Sequence, residues 1–92
     1  MIKSFRCTDT QALFLRGKSR RFANIARAAT RKLGYLHAAS ALKDLLAPPA
    51  NRLEALKGNR IGQHSIRIND QFRLCFRWTD EGVQDVEIVD YH

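Results

Sequence analysis

An acid, a phenol and an imidazole stand side by side at the end of this chain, Asp90-Tyr91-His92, directly after the alternating run Val86-Glu87-Ile88-Val89. An imidazole both takes and gives a proton near neutral pH, because its ordinary pKa is about 6.5. A carboxylate beside it can orient the ring, and a phenol can stack on a base or donate a hydrogen bond to an anion. Terminal residues are often solvated and disposable, so the tail alone does not make a site. Its weight comes from arginines that the strand pattern delivers to the same face.

In the stretch from Phe72, the residues Phe72, Leu74, Phe76 and Trp78 point one way, and Arg73, Cys75 and Arg77 the other. Before it, Ile66 and Ile68 point to the core while Ser65, Arg67 and Asn69 point away. A one-residue slip turns a whole strand over, so the turn between them must keep both apolar sets on one side. A two-residue loop fails this test, because it sets Ile66 against Arg73. The three-residue loop Asn69-Asp70-Gln71 passes, pairing Ile68 with Phe72, Ile66 with Leu74, and Arg67 with Arg73. Treating Asp80-Glu81-Gly82 as the next loop pairs Phe76 with Val86 and Leu74 with Ile88 inside. Outside, it pairs Arg77 with Asp85, Cys75 with Glu87 and Arg73 with Val89, and brings Tyr91 diagonal to Arg73.

Two arginines directly opposite each other on one face repel. Asp85 neutralises Arg77 in this register and Glu87 lies diagonal to Arg73, whereas Arg67 has no partner. An under-neutralised pair flanked by a phenol is a seat for an anion, and a phosphodiester suits the arginine fork. The competing reading lays both arginines flat on the sheet, paired with water, Glu87 or the terminal carboxylate. The loop Lys57-Gly58-Asn59-Arg60-Ile61-Gly62 adds two cations and glycines that let backbone approach a ligand. It is too short for a phosphate-binding P-loop and lacks the helix start.

The elements that position these residues follow from periodicity. Ile2 to Phe5 reads as a short opening strand. Asp9 or Thr10 would cap a short helix through Gln11–Leu15 that stops at Gly17. Ser19 would cap the longest helix, about residues 20–37. Its stripe Phe22, Ile25, Ala26, Ala29, Leu33 and Leu36 faces a core, and Arg20, Asn24, Arg27 and Arg31 form an outward ridge with Lys18 beside it. A second short helix runs from Ala41 to Leu46, before Pro48-Pro49. The period then changes from helical to two. Leu53–Lys57, His64–Asn69, Phe72–Trp78 and Val83–Val89 read as four strands of an antiparallel meander. With the opening strand the expectation is one α/β (α+β) domain over residues 1–92, its N-terminal helices packed on a mainly antiparallel five-stranded sheet. His37, late in the helix, reads as a surface residue, and His64, on the inward face, as a structural one.

Composition sets the outer bounds. Ninety-two residues, 45% hydrophobic and 27% charged, fit one ordinary globular domain with a modest core. No apolar stretch approaches the roughly 18 residues of a membrane span, and Met1–Phe5 lacks the apolar region of a signal peptide. A cytoplasmic protein without a membrane partner is expected. The two cysteines, Cys7 and Cys75, have no metal-ligand spacing and read as free thiols; no carboxylate cluster suggests a metal, and no cofactor is expected. The net charge of +7 is unevenly placed: residues 1–46 hold ten Lys/Arg against two acids, and residues 47–92 six against seven. Such a balance points to a polyanion partner, most often nucleic acid.

Three segments carry a family likeness: Asn51–Arg60, Ser65–Leu74 and the terminal Asp90-Tyr91-His92, with Met1–Phe5 in agreement. Together they resemble the HigB-type (GraT-like) toxins of the RelE/ParE superfamily, over essentially the whole chain. The resemblance implies a RelE-like fold and the toxin of a type II toxin–antitoxin pair, cutting mRNA in the A site of the 70S ribosome. It also implies a HigA-type helix-turn-helix antitoxin, with monomeric toxin in a 2:2 complex with dimeric antitoxin. By position in the motif, Lys57, Arg73, Asp90, Tyr91 and His92 match residues implicated in activity. Some members carry histidine where this chain has Glu54, so that role is not carried over.

Metal-independent RNA cleavage needs a base for the ribose 2′-OH, cations for the phosphorane charge and an acid for the leaving 5′-oxygen. His92 is the natural proton carrier, Asp90 its orienter, and Tyr91 a stacking or hydrogen-bonding group. Arg73 and Arg67 would stabilise charge in the transition state, with Lys57 reaching in from the loop. Arg60, Arg20, Arg27, Arg31 and Lys18 would grip RNA phosphates. Two other readings share the composition: a non-catalytic RNA- or ribosome-binding protein, and a gyrase-directed toxin of the ParE branch.

Overall fold

The computed structural model describes residues 1–91; the expectation placed on His92 lies outside the described residues. Two helices, α1 (Thr8–Arg16) and α2 (Ala26–Ala38), pack on an antiparallel sheet of β1 (Glu54–Ala55), β2 (His64–Arg67), β3 (Phe72–Thr79) and β4 (Gly82–Asp90), in that spatial order. The core between them holds Leu13, Phe22, Ile25, Ala29, Leu33 and Leu36 from the helical side. Ile66, Leu74, Phe76, Val83, Val86 and Ile88 face them from the sheet.

The helices depart from expectation at their starts. Cys7, not Asp9 or Thr10, precedes α1 and supplies no side-chain cap. Asp9 lies in the first turn, where a negative charge meets the positive end of the helix dipole. Thr10 is buried and its hydroxyl accepts the Ile88 N–H at 3.1 Å. Gly17 closes α1 at φ 70°, as expected. The long helix splits into a 3₁₀ turn, Ala23–Ile25, and α2, with Ile25 at φ −123° and ψ 9° between them. Ser19 Oγ accepts the Phe22 N–H at 3.4 Å ahead of that turn. The short helix before the prolines is a 3₁₀ turn, Leu42–Leu46, started by Asp44, whose Oδ2 accepts the Ser40 and Ala41 N–H groups at 2.9 and 3.0 Å.

The sheet has four strands rather than five. The segment Ile2–Phe5 does lie along β4, but it runs parallel to it and touches as two isolated bridges, Ile2 to Val83 and Phe5 to Val86. The ladder is broken between them by Asp85, whose φ of 55° turns its N–H to Ser4 Oγ at 2.9 Å instead of to a carbonyl. Flanking bonds survive: Lys3 donates to Val83 O at 2.7 Å and Arg6 to Val86 O at 3.0 Å.

The first hairpin has the expected register, with Ile66 opposite Leu74 and Arg67 opposite Arg73. Asn69 Oδ1 closes its turn by accepting the Gln71 and Phe72 N–H groups at 2.9 and 2.7 Å. The second hairpin is tighter than expected. Thr79 pairs with Gly82, leaving a two-residue loop, and one extra residue at Asp85–Val86 forms a bulge between Cys75 and Arg77. Beyond it the expected pairs return: Cys75 with Glu87, Leu74 with Ile88, Arg73 with Val89 and Phe72 with Asp90. Arg77 sits opposite Gln84, yet its Nε still lies 3.4 Å from Asp85 Oδ2. His64 stacks on Phe76 with ring centroids 6.2 Å apart, a structural placement. His37 is not a free surface residue: its Nδ1 accepts the Ile2 N–H at 3.1 Å and its ring lies 5.1 Å from that of Phe14.

Candidate functional site

One row of register partners crosses all four strands on the face away from the helices: Glu54, Ser65, Cys75 and Glu87. Alternation puts polar groups here because the neighbouring positions already fill the core. The row is not open to water along its length, since Ser65 and Cys75 are fully buried. The segment from Lys57 to Gln63 folds back over it, through a 3₁₀ turn at Gly58–Arg60. Arg60 Nη1 donates to Glu87 Oε1 at 2.8 Å and to Gln63 Oε1 at 3.1 Å. The bond to Glu87 outweighs desolvation and holds the guanidinium pKa above its ordinary value. Gly62 is required where the segment returns: at φ 91°, a Cβ there would meet Arg77 Nη1 at 2.9 Å.

Between this segment and the end of β4 lies a cleft of about 820 Å³, lined by Glu54, Ala55, Leu56, Lys57, Asn59, Arg60, Asp90 and Tyr91. Sequence reasoning named four of these: Lys57, Arg60, Asp90 and Tyr91. The tail enters it still extended, because the Tyr91 N–H donates to Gln71 O at 2.6 Å and Asp90 Oδ2 accepts from Gln71 Nε2 at 3.1 Å. Burial and the neighbouring Cys75 push the Tyr91 phenol pKa up, so the group is a neutral hydrogen-bond donor at pH 7. Burial raises the Cys75 thiol as well, which keeps it protonated and removes it as a nucleophile at neutral pH.

Arg73 borders the cleft through Glu54. Its Nε lies 3.5 Å from Glu54 Oε1 and donates to Ser65 Oγ at 2.7 Å, while Nη2 donates to Arg52 O at 2.6 Å and Ser65 O at 3.3 Å. With its side chain only 12% exposed, Arg73 is a held residue rather than one of a free repelling pair. Arg67, expected to lack a partner, pairs with Asp70 at the hairpin turn. The register was read correctly, but the turn residue Asp70 curls back to neutralise the cation.

The remaining basic residues lie elsewhere. Lys18, Arg20, Arg27 and Arg31 are exposed on the α1–α2 side. Arg27 and Arg31 flank a groove of about 310 Å³ that reaches Asn69 on the first hairpin, and Lys18 and Arg20 line a separate depression with Asp9 and Arg16. Sequence reasoning missed Arg21, which pairs with Asp9 at 3.5 Å and lies 4.9 Å over the Phe22 ring. It also missed the supporting roles of Ser65, Gln63 and Glu87, and the place of Glu54 on the cleft wall. The strand register carried the signal for Ser65, Glu54 and Glu87; nothing in the sequence carried it for Gln63.

Comparison with known proteins agrees with this architecture. The model of the RelE-like toxins of type II toxin–antitoxin system HigB matches residues 3–92. Toxin HigB-1 of Vibrio cholerae is 53% identical over 57 residues, covering 62% of this chain and 60% of that protein. An uncharacterized protein of Haemophilus influenzae is 35% identical over 63 residues, 68% of this chain and 62% of that protein. The matches thus span less than two thirds of either relative's length. Among solved structures, the YoeB–YefM complex from Staphylococcus aureus gives a TM-score of 0.61 at 19% identity, over 100% of this chain and 95% of that one, a likeness of fold. The chain belongs to the HigB-like family of RelE-like toxins.

Proposed function

From that membership, we propose that this chain is the toxin of a type II toxin–antitoxin pair and acts as a ribosome-dependent mRNA endoribonuclease. The observation that carries the reading is the cleft, which Lys57, Arg60, Asp90 and Tyr91 line together with Glu54, and Arg73 lies just behind Glu54. The chemistry is an in-line attack. The ribose 2′-oxygen, losing its proton to a cleft carboxylate (Glu54 or Asp90), bonds to phosphorus. The P–O5′ bond breaks, and a 2′,3′-cyclic phosphate and a 5′-hydroxyl result. His92 protonates the departing 5′-oxygen, and Arg73, Arg60 and Lys57 oppose the charge that builds on the phosphorane. Neutral Tyr91 donates to a phosphate oxygen or stacks on a base.

The exposed Lys18, Arg20, Arg27 and Arg31, with Arg67, contact ribosomal RNA phosphates by charge, which lets the cleft meet mRNA in the decoding site. The silencing partner is a helix-turn-helix antitoxin of the HigA type, in a 2:2 complex, and the protein works in the cytoplasm. Among the described residues no helix is long and apolar enough to cross a membrane.

The test is cleavage of mRNA on programmed ribosomes, with 5′ ends mapped by primer extension. Chain truncated after Asp90 should remain folded and make no cuts, because the cut leaves every core residue up to Ile88 in place. A folded, truncated protein that still cleaves would remove both residues from the mechanism. Intact protein that binds ribosomes without producing new 5′ ends would favour occupancy over cleavage.

A further inference from the structure

Arg52 stands in the left-handed region, φ 45° and ψ 56°, which a residue with a Cβ adopts only when its surroundings over-determine it. Its own N–H donates to Pro49 O at 3.1 Å, and the residue before it belongs to a buried polar strut. Lys32 on α2 is 5% exposed, and its Nζ donates to Asn51 Oδ1 at 2.5 Å. Asn51 is fully buried, and its Nδ2 donates to Leu45 O and Ala47 O, each at 3.2 Å. The next carbonyl, that of Arg52, accepts Arg73 Nη2 at 2.6 Å. A continuous line of contacts therefore runs from the middle of the helix to the arginine behind the cleft. A buried ammonium is costly unless it is hydrogen-bonded, and this one makes its short bond to a side chain whose backbone leads directly to Arg73. Burial first, then the charges of Arg31 and Arg67, push the Lys32 pKa down, so the helix holds a disfavoured cation at this position.

We infer that Lys32 and Asn51 are positioning residues for Arg73: they hold the strained turn at Arg52 so that its carbonyl fixes Nη2 and leaves Nη1 as the nitrogen offered to a phosphate. Among the described residues Nη1 makes no hydrogen bond, while Nε and Nη2 are both engaged. The functional half of this inference rests on the nuclease reading above; the geometric half does not, and the two are measured separately.

The experiment compares three forms: Lys32→Met, Arg52→Gly, and the two combined. The arginine Nη–H region of the ¹H–¹⁵N spectrum, taken cold enough to slow guanidinium rotation, reads the geometry on the free protein, with the Arg73 signal assigned from Arg73→Lys. Circular dichroism checks the fold, and kcat and KM are taken from cleavage on programmed ribosomes. In Lys32→Met the Arg73 signal should collapse towards the solvent-exposed arginines, and kcat should fall about tenfold with KM little changed, within the loss a misplaced group brings. Arg52→Gly alone should keep both at parent values, since glycine takes φ 45° freely and retains the carbonyl. The combined form should recover the signal and most of kcat, because a turn without strain needs no strut. Should Lys32→Met not fold, Lys32→Gln, too short to reach Asn51, replaces it. An unshifted Arg73 signal in the folded Lys32 variant, or a combined form no better than that variant, overturns the inference. A shifted and rescued signal in a protein that cuts no RNA retains the strut and overturns the nuclease reading instead.

Discussion

The same strands present two faces built by different physics. Towards the helices, Ile66, Leu74, Phe76, Val86 and Ile88 are buried against Leu13, Leu33 and Leu36. Each touches many neighbours, and the attraction is non-directional. Away from the helices, Ser65, Glu87, Arg73 and Arg60 are held by a few directional contacts each, such as 2.7 Å from Arg73 to Ser65 and 2.8 Å from Arg60 to Glu87. The first face resists unfolding and tolerates small displacements. The second contributes little net stability per bond, about 1 kcal/mol, but sets where each charge stands. The two faces should therefore fail differently when mutated, one by unfolding and the other by losing activity in a folded protein.

The sharpest test of that division is Phe76→Ala. Phe76 is fully buried, so the loss should be about 3–5 kcal/mol in chemical denaturation, a large part of a small domain's stability. A loss below about 1 kcal/mol would show that the inner face is not the seat of stability. Next comes Arg73→Ala, expected to lower cleavage by about 10²-fold while the protein stays folded. Global unfolding of this variant would collapse the distinction and make Arg73 a structural residue. Smaller still is Arg27→Glu with Arg31→Glu. Ribosome co-sedimentation across a salt series should weaken and lose about two phosphate contacts from its slope. Unchanged binding would show the α2 ridge to be a solvated surface.

The smallest effect is a pH dependence confined to the polar face. Cys75 and Tyr91 both have folded pKa values raised above their ordinary 9.0 and 10.0. In that window the folded state binds more protons than the unfolded state, so stability is full below about pH 9 and falls as pH rises through the folded values. Melting temperatures taken from pH 8 upward should decline more gently in Cys75→Ser and in Tyr91→Phe than in the parent. Parallel curves would show that neither group is shifted.

How much of this was legible in the sequence also divides by face. The inner face was readable because parity fixes it: between a two-residue and a three-residue turn at Asn69–Gln71, only the second puts Ile66 on the side of Leu74 and Phe76. Parity also explains the error at the second hairpin. A three-residue loop without a bulge and a two-residue loop with one extra residue at Asp85 restore the same pairs beyond Cys75, so periodicity cannot separate them. That bulge is also what reduces the opening strand to two bridges. The outer face was readable only as a set of side chains. Which partner each would choose depends on chain returning from afar: Arg52 and Glu54 to Arg73, Arg60 to Glu87. No local pattern encodes those returns.

The opening segment along β4 has a bearing on how the protein keeps its own company. Unpaired strand edges recruit strands from other chains and seed aggregates. Here residues 1–6 occupy the outer edge of β4, with Thr10 taking the Ile88 N–H further along, and the opposite edge is β1, only two residues long. Among the described residues neither margin offers a stretch of free backbone long enough to template a second sheet. The chain should therefore stay dispersed when concentrated, and removing residues 1–6 should turn β4 into an adhesive border that light scattering would register.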